Sequence, residues 1–248
     1  PETMPDGSPW PRISIVTPSY NQGQFIEETI RSVLLQGYPN LEYIIIDGGS
    51  TDNSVEIIKK YESWLAYWVS EKDRGVYDAM NKAIKYATGD WLYFLGADDI
   101  LVNCLHKVSS FLRRKDTIYY GDVYLPHKNK TYAGQFRWHT LVSKNINHQS
   151  IFYPRQVFEC CSYNLKYSVY ADYDLNLRCW GDGRFVFRYM PILVAIHHDG
   201  GLSHQKTDEA FERDKPALVQ KYFGKRIALR LAWFRLRSRV GGFLRREK

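Results

Sequence analysis

The sequence predicts an α/β fold built on a mostly parallel sheet with flanking helices, and three observations carry that expectation. Short runs rich in Ile, Val and aromatic residues alternate with stretches whose apolar residues recur at helical spacing. The connections between them are short and rich in Gly, Asp and Ser. At 248 residues the chain suffices for one sizeable core, with little left for a second independent domain. Strands that alternate with helices pair in parallel and are covered on both faces.

Taken in order, residues 1–11 are Pro-rich and read as an extended, loose segment. Arg12 to Pro18 reads as a short buried strand. Residues 25–36 read as a helix with Ile26, Ile30, Val33 and Leu34 on one face. Leu41 to Asp47 (LEYIIID) is a second strand, broken by Gly48-Gly49, and Ser50, Thr51 or Asp52 can cap the helix that follows. Leu65 to Val69 is a third strand. A helix over 77–87 turns Tyr77, Met80, Ile84 and Ala87 inward, Trp91 to Leu95 (WLYFL) is a fourth strand, and 100–114 is a further helix.

The second half is less regular. Thr117 to Leu125 and Arg184 to Ala195 read as strands, Ile151 to Tyr153 as strand-like, and 172–180 as a short helix. Residues 205–223 read as a helix with a break near Pro216. This half is expected to add antiparallel strands and the second wall of a site. The expected domains are an N-terminal segment (1–11), a folded body (12–224, with halves 12–115 and 116–224) and a basic helical tail (225–248).

Composition narrows the function. Apolar residues make up 44% and charged residues 25%, as in soluble globular proteins. The net charge of +7 is concentrated in the tail: residues 225–248 carry nine basic residues and one acidic residue. The other 224 residues hold 25 basic and 26 acidic groups, a net of −1. A nucleic-acid enzyme more often spreads positive charge along a groove of its body, so nucleic acid is not an expected partner. Cys104, Cys160, Cys161 and Cys179 form no CxxC pair and read as reduced thiols of a cytoplasmic protein. No apolar run approaches the length of a membrane span, and no secretory signal is visible.

Ligands of such sheets bind beyond the carboxyl ends of the strands, where the connections diverge. Four polar clusters lie there: Thr17 to Asn21, Asp47 to Asp52, Asp73-Arg74, and Asp98-Asp99. Adjacent carboxylates at a buried strand end repel each other and need a cation or protons to be tolerated. Mn²⁺ or Mg²⁺ takes such oxygen ligands and bridges a carboxylate to a diphosphate. The plainer alternative makes Asp98 or Asp99 the cap of the helix expected at 100, and the other Asp and Gly residues turn formers. The same polar bias at four strand ends weighs against it.

Thr17-Pro18-Ser19-Tyr20-Asn21, Asp47-Gly48-Gly49-Ser50-Thr51-Asp52, Asp73-Arg74-Gly75 and Gly96-Ala97-Asp98-Asp99 occur in that order, and the ordered set resembles glycosyltransferase family 2, which has the Rossmann-like GT-A fold. The match is close over about 12–115 and looser to about 205. The resemblance implies an inverting, metal-dependent transferase that takes one sugar from a nucleotide-diphosphate sugar, most often UDP-linked. Pro18, Tyr20, Asn21, Asp47, Ser50, Asp73 and Arg74 would surround the donor, Asp98 would lie near ribose and diphosphate, and Asp99 would hold the metal. The family's metal motif is often Asp-any-Asp, whereas Gly96 and Ala97 precede the pair here.

Ala171-Asp172-Tyr173 resembles the family's Glu-Asp-aromatic motif, whose Asp is the catalytic base, with Ala171 in place of the acid. A transfer with inversion needs one carboxylate to take the acceptor's proton. Asp172 fits that role, Asp174 is the fallback, and a helix cap is the plainer alternative. His148 and Gln149 are candidates for the acceptor side, and His198 is a candidate to complete the metal shell; a structural histidine is the alternative at each.

The tail carries two apolar arcs separated by arginines, so one arc can pack on the body while the other meets an anionic membrane surface. A glycan or lipid-linked acceptor at the inner face of the plasma membrane would suit that arrangement, and a solvated helix is the simpler reading. Two competing functions stay open at this point: a catalytically impaired glycan- or membrane-binding module, and a sugar nucleotidyltransferase, which usually carries a Gly-rich loop where this chain has Thr-Pro-Ser-Tyr-Asn.

Overall fold

The computed structural model describes residues 2–132, 134–198 and 207–229. Four parallel strands form the first half of the sheet: β1 (Ile13–Ser19), β2 (Leu41–Asp47), β3 (Tyr67–Ser70) and β4 (Trp91–Phe94). Their helices are α1 (Ile26–Leu34), α2 (Ser54–Lys60) and α3 (Val76–Ile84). Strand order is β3-β2-β1-β4, so the chain leaves β1 toward β2 and later returns to its other side as β4. That reversal opens a crevice beyond the carboxyl ends of β1 and β4, the position a ligand takes in such sheets.

The two faces are separately packed. Ile26, Ile30 and Val33 of α1 fall on one helical stripe and bury against Ile13, Ile15, Tyr43 and Ile45. Val16, Ile44 and Ile46 alternate with these on the strands and face Tyr77, Met80 and Ala83 of α3. Every residue of β1, and of β2 after Leu41, is buried, because both faces of those strands are covered. A fully buried Ile here contributes about 2 kcal/mol.

The second half continues the sheet with mixed strand directions. β5 (Ile100–Leu101), β6 (Thr117–Leu125), β7 (Lys130–Tyr132), β8 (Ile151–Pro154) and β9 (Val186–Ile196) extend the order as β4-β8-β6-β9-β5, with β7 on β6. β8 runs antiparallel to β4 and to β6, while β6 and β9 are parallel. Helices α4 (Leu105–Ser109), α5 (Trp138–Ser143), α6 (Gln156–Cys160), α7 (Ala171–Asp182) and α8 (Glu209–Phe223) complete the described elements. Among the described residues no helix is long and apolar enough to cross a membrane.

Three sequence expectations change. The N-terminal segment is packed rather than loose: Met4 and Trp10 are buried, and the carbonyls of Trp10 and Pro11 accept from Asn40 and Tyr38. The helix expected over 100–114 is instead strand β5 followed by α4, which starts at Leu105 after Cys104, so neither Asp98 nor Asp99 is a helix cap. Pro216 sits inside an unbroken α8 whose cap is Asp208, which accepts from Phe211 N. Residues 225–229 are helical, and the rest of the expected tail lies outside the described residues.

Candidate active site

Beyond the carboxyl edge of β1 and β4 lies a cavity of about 1080 Å³, large enough for a nucleotide and a sugar. Pro18, Ser19 and Tyr20 at the end of β1, Gly48 and Gly49 after β2, and Lys72 and Asp73 after β3 line one end. Gly96, Ala97 and Asp98 after β4 form its floor, and Tyr132, Asn145 to Gln149, Tyr170, Asp172 and His197 close the other wall. Three carboxylates, Asp73, Asp98 and Asp172, face one lysine, Lys72, among the described lining residues. A diphosphate entering that charge distribution needs a further cation.

The strand-end loops are held by one another. Asp47 is fully buried and outside the cavity lining; it accepts from Gly49 N at 3.1 Å, Ser50 N at 2.8 Å and Oγ at 2.5 Å, and Ser70 Oγ at 2.7 Å. Asn21 adopts a left-handed φ of 50°, accepts from Thr51 N at 2.8 Å and donates its backbone N–H to Ser50 Oγ at 2.7 Å. Asp47, Asn21 and Ser50 therefore shape that end of the cavity rather than line it. Arg74 points away, pairing with Asp78 at 3.0 Å with 77% of its side chain exposed. Tyr20 is 59% exposed at the rim, its ring free to cover a flat ligand. Gly48 packs close to Asp73: a Cβ there would stand 2.7 Å from Asp73 Oδ2, so the carboxylate would have to move aside.

Of the Asp98-Asp99 pair, Asp98 lines the cavity as expected, whereas Asp99, expected to hold a metal, is engaged by protein groups. Asp99 is fully buried and its oxygens are committed. Oδ2 accepts from Gln149 Nε2 at 2.6 Å, and Oδ1 meets His197 Nδ1 at 2.9 Å and His198 N at 3.0 Å. Asp98 is the one that faces the cavity, its carboxyl pushed above the usual range by burial and by the Asp99 charge, against the pull of His197 and His198. His198 Nδ1 is buried with no hydrogen-bond partner.

Among the described residues no group of three or more His, Cys, Asp or Glu is arranged to hold a metal ion. Mg²⁺ and Mn²⁺ at diphosphate sites need only one or two protein donors, the phosphates and water supplying the rest. The Asp98 carboxylate, which lines the cavity, fits that smaller requirement; His198, near enough to act on the Asp98 carboxyl but outside the cavity lining, carries a ring nitrogen with no hydrogen-bond partner.

On the facing wall Asp172 is 6% exposed and sits in the first turn of α7, after the cap residue Tyr170, so it does not start the helix. Asn145 Nδ2 donates to its Oδ2 at 2.6 Å, and Tyr77 Oη lies 2.9 Å from its Oδ1. The same phenol lies 2.6 Å from the Val169 carbonyl, so one proton serves two acceptors. Burial raises the Asp172 pKa above the usual carboxylate range, against His148, Tyr77, Tyr173 N and Asn145, which hold it down. His148 lies 3.9 Å away, and burial keeps it below the ordinary imidazole value, against the nearby carboxylates. Asp174 is buried and paired with Arg178 at 2.9 Å, away from the cavity lining.

His148 and Gln149 join the two walls. They form a short turn capped by Asn147 and tied down where Tyr93 Oη donates to Gln149 O at 2.7 Å. Gln149 reaches Asp99 while His148 faces Asp172. Sequence reasoning missed Asn145, Tyr77 and Lys72 as site residues. Lys72 follows from the strand-end rule that selected Asp73; Asn145 carries no local signal, because only the fold brings it to Asp172.

Comparison with known proteins places this arrangement. The sequence profile "Glycosyl transferase family 2" matches residues 14–172. A PGL/p-HBAD biosynthesis glycosyltransferase of Mycobacterium tuberculosis is 36% identical over 240 residues, 93% of this chain and 94% of that protein. A putative teichuronic acid biosynthesis glycosyltransferase of Bacillus subtilis, TuaG, is 40% identical over 92 residues, 36% of each chain. Among solved structures, S. aureus TarS 1-349 in complex with UDP superposes with a TM-score of 0.65 at 15% identity, covering 85% of this chain and 66% of that one. A mannosyltransferase from Pyrobaculum calidifontis, in complex with GDP-Man and Mn²⁺, superposes at 0.63 with 20% identity, covering 89% and 68%. The sheet that curls from parallel to mixed around this cavity is the GT-A fold, and the chain belongs to glycosyltransferase family 2.

Proposed function

We propose that the chain transfers a single sugar from a UDP-linked donor to an acceptor hydroxyl with inversion, in the synthesis of a cell-surface or lipid-linked glycan. The observation that carries this reading is a buried carboxylate with a raised pKa, Asp172, standing across one cavity from Asp98. A base works best when its pKa approaches the working pH, and burial moves Asp172 in that direction. The names of the mycobacterial and Bacillus relatives support the glycan class, and the UDP complex of TarS supports the nucleotide.

In this mechanism Tyr20 covers the base, Asp73 accepts from it or from the ribose, and Lys72 faces the phosphates. Asp98 and His198 would hold a divalent ion, which when bound supplies positive charge to the departing diphosphate. Asp172 takes the proton from the acceptor hydroxyl as its oxygen attacks the anomeric carbon. The bond to the diphosphate breaks on the opposite face, which inverts the configuration. His148 lies beside Asp172, with burial holding its pKa below the ordinary imidazole value.

The test is transfer from UDP-sugars to lipid-linked and simple glycoside acceptors, with the product anomer read by NMR. An inverted product, lost by about 10³-fold in Asp172→Asn with donor binding kept, is expected. Retained configuration, or full activity in Asp172→Asn, contradicts the reading.

A further inference from the structure

The loop that enters α7 is held by a carboxylate from outside the cavity. Asp208 is 3% exposed and lies beyond the cavity lining. Its Oδ1 accepts from Phe211 N at 3.0 Å and caps α8. Its Oδ2 accepts from Val169 N at 2.9 Å and Tyr170 N at 3.2 Å, 39 and 38 positions back in the chain. Tyr170 is the cap residue of α7 and makes no side-chain capping bond, and two successive amides converge on Asp208 instead. Phe211 seals the joint, its ring centre 5.4 Å from those of Tyr167 and Tyr170 and 5.1 Å from that of Tyr173.

One of those amides belongs to a peptide group that also touches the Asp172 network. A trans peptide points its N–H and C=O in opposite directions. In the Val169–Tyr170 peptide the N–H meets Asp208, and the C=O accepts from Tyr77 Oη at 2.6 Å. The α7 ladder begins one residue later, with Asp174 N donating to Tyr170 O, so the Val169 carbonyl depends on Tyr77 for its donor. Tyr77 Oη lies farther from Asp172 Oδ1, at 2.9 Å. A carboxylate at the N–H end polarises the peptide and strengthens the bond that its carbonyl accepts.

On the reading of Asp172 as the base, we propose that Asp208 is its positioning residue: by gripping the Val169–Tyr170 peptide it commits the Tyr77 proton to the Val169 carbonyl and leaves Asp172 the weaker share. A carboxylate with less of that hydrogen bond is a stronger base. The titratable groups around Asp172 are Tyr77 on α3, Tyr132 on β7, Tyr153 on β8, His148, Tyr163 and Tyr170. Burial raises each of these tyrosines, so His148 is the one among them that changes charge in the acid range. On α8, Glu212 acts on Tyr170, and the Lys215 ammonium lies 4.3 Å from the centre of the Tyr173 ring. Dependence on Tyr77 therefore separates the grip from these other charges.

The experiment compares wild type, Asp208→Asn, Tyr77→Phe and the double variant. Asparagine caps helices about as well as aspartate, so Asp208→Asn keeps the α8 cap while its single acceptor oxygen no longer serves the Val169–Tyr170 pair. Two readouts are taken: the pH titration of the Asp172 carboxyl carbon by NMR, assigned with Asp172→Asn, and kcat and KM for transfer against pH. In Asp208→Asn the released Tyr77 proton turns to Asp172 and favours its charged form. The Asp172 titration should move about one pH unit lower, and the plateau kcat should fall about threefold with the donor KM unchanged. In the Tyr77→Phe background, which has no proton to redirect, the same substitution should move neither. An Asp172 titration that stays in place or rises in Asp208→Asn, or that moves equally in the Tyr77→Phe background, overturns the proposal. A titration that moves while the rate profile stays still supports the grip and overturns Asp172 as the base. If Asp208→Asn does not fold, amide exchange on wild type decides. Val169 and Tyr170 N–H are expected to exchange about tenfold or more slower than exposed loop amides, and exchange at the loop rate overturns the grip.

Discussion

Removing the Asn145 side chain should slow the reaction at low pH and leave it intact at high pH. Asn145 is held by a chain that begins in the core: Tyr153 Oη donates to Asn176 Oδ1 at 2.8 Å, and Asn176 Nδ2 donates to Asn145 Oδ1 at 2.9 Å. With its oxygen occupied, Asn145 must turn its NH₂ toward Asp172 Oδ2, 2.6 Å away. A hydrogen bond to a charged acceptor contributes about 1.5–3 kcal/mol and favours the ionised carboxylate. Asn145 lines the cavity, so water replaces part of the lost bond and the lower figure applies. The sign follows: Asn145→Ala raises the Asp172 pKa further, and a base must be deprotonated to act. On the acid limb kcat/KM should fall about tenfold, about 1.4 kcal/mol, and recover as pH rises. The assay is kcat/KM against pH for wild type, Asn145→Ala and Asn145→Asp, the last moving the limb further by placing a second carboxylate beside Asp172. An acid limb that stays in place or moves to lower pH in Asn145→Ala refutes this account of the base.

Two other substitutions separate neighbouring roles. Asp98→Asn should keep or raise the melting temperature at pH 7. Its folded-state pKa is raised, so the charged form costs stability above that value, and the gain fades as pH falls and the wild-type carboxyl protonates. The same variant should lose divalent-dependent nucleotide binding, whereas Asp99→Asn should lose about 1–3 kcal/mol of stability by turning an NH₂ group toward donors; calorimetry and thermal melts on both distinguish them, and equal effects would contradict the division. Gly48→Ala should push Asp73 aside, a flexible side-chain end that can yield, leaving the fold intact and weakening nucleotide binding about tenfold; an unchanged Kd would remove Asp73 from the donor site.

How much of this was legible in the sequence depends on the distance over which each feature is determined. β2 and β6 fall where their apolar runs predict, Leu41–Asp47 and Thr117–Leu125, because a strand covered on both faces needs unbroken apolar sequence. The helix expected over 100–114 shortened because Ile100-Leu101 pairs with Ile196 and Ala195 of β9, a partner almost a hundred residues away. The polar clusters were found because strand ends are local features. Which carboxylate of Asp98-Asp99 faces the ligand was not legible, since it depends on Gln149, His197 and His198 arriving from the far half to claim Asp99. Asp47 likewise looked like a ligand contact, yet its oxygens are taken by Ser50, Gly49 and Ser70. Asn145 and Tyr77 gain their roles only through Asp172, across 27 and 95 positions of sequence.

The central claim is a nucleotide-diphosphate donor site completed by a divalent ion, and the most direct measurement is a thermal-shift screen of UDP, GDP, dTDP and CMP, each with and without Mn²⁺. The account predicts stabilisation by UDP that requires Mn²⁺, is lost in Asp98→Asn, and persists in Asp172→Asn. No shift with any nucleotide at millimolar concentration, or a UDP shift indifferent to Mn²⁺ and to Asp98, would contradict it.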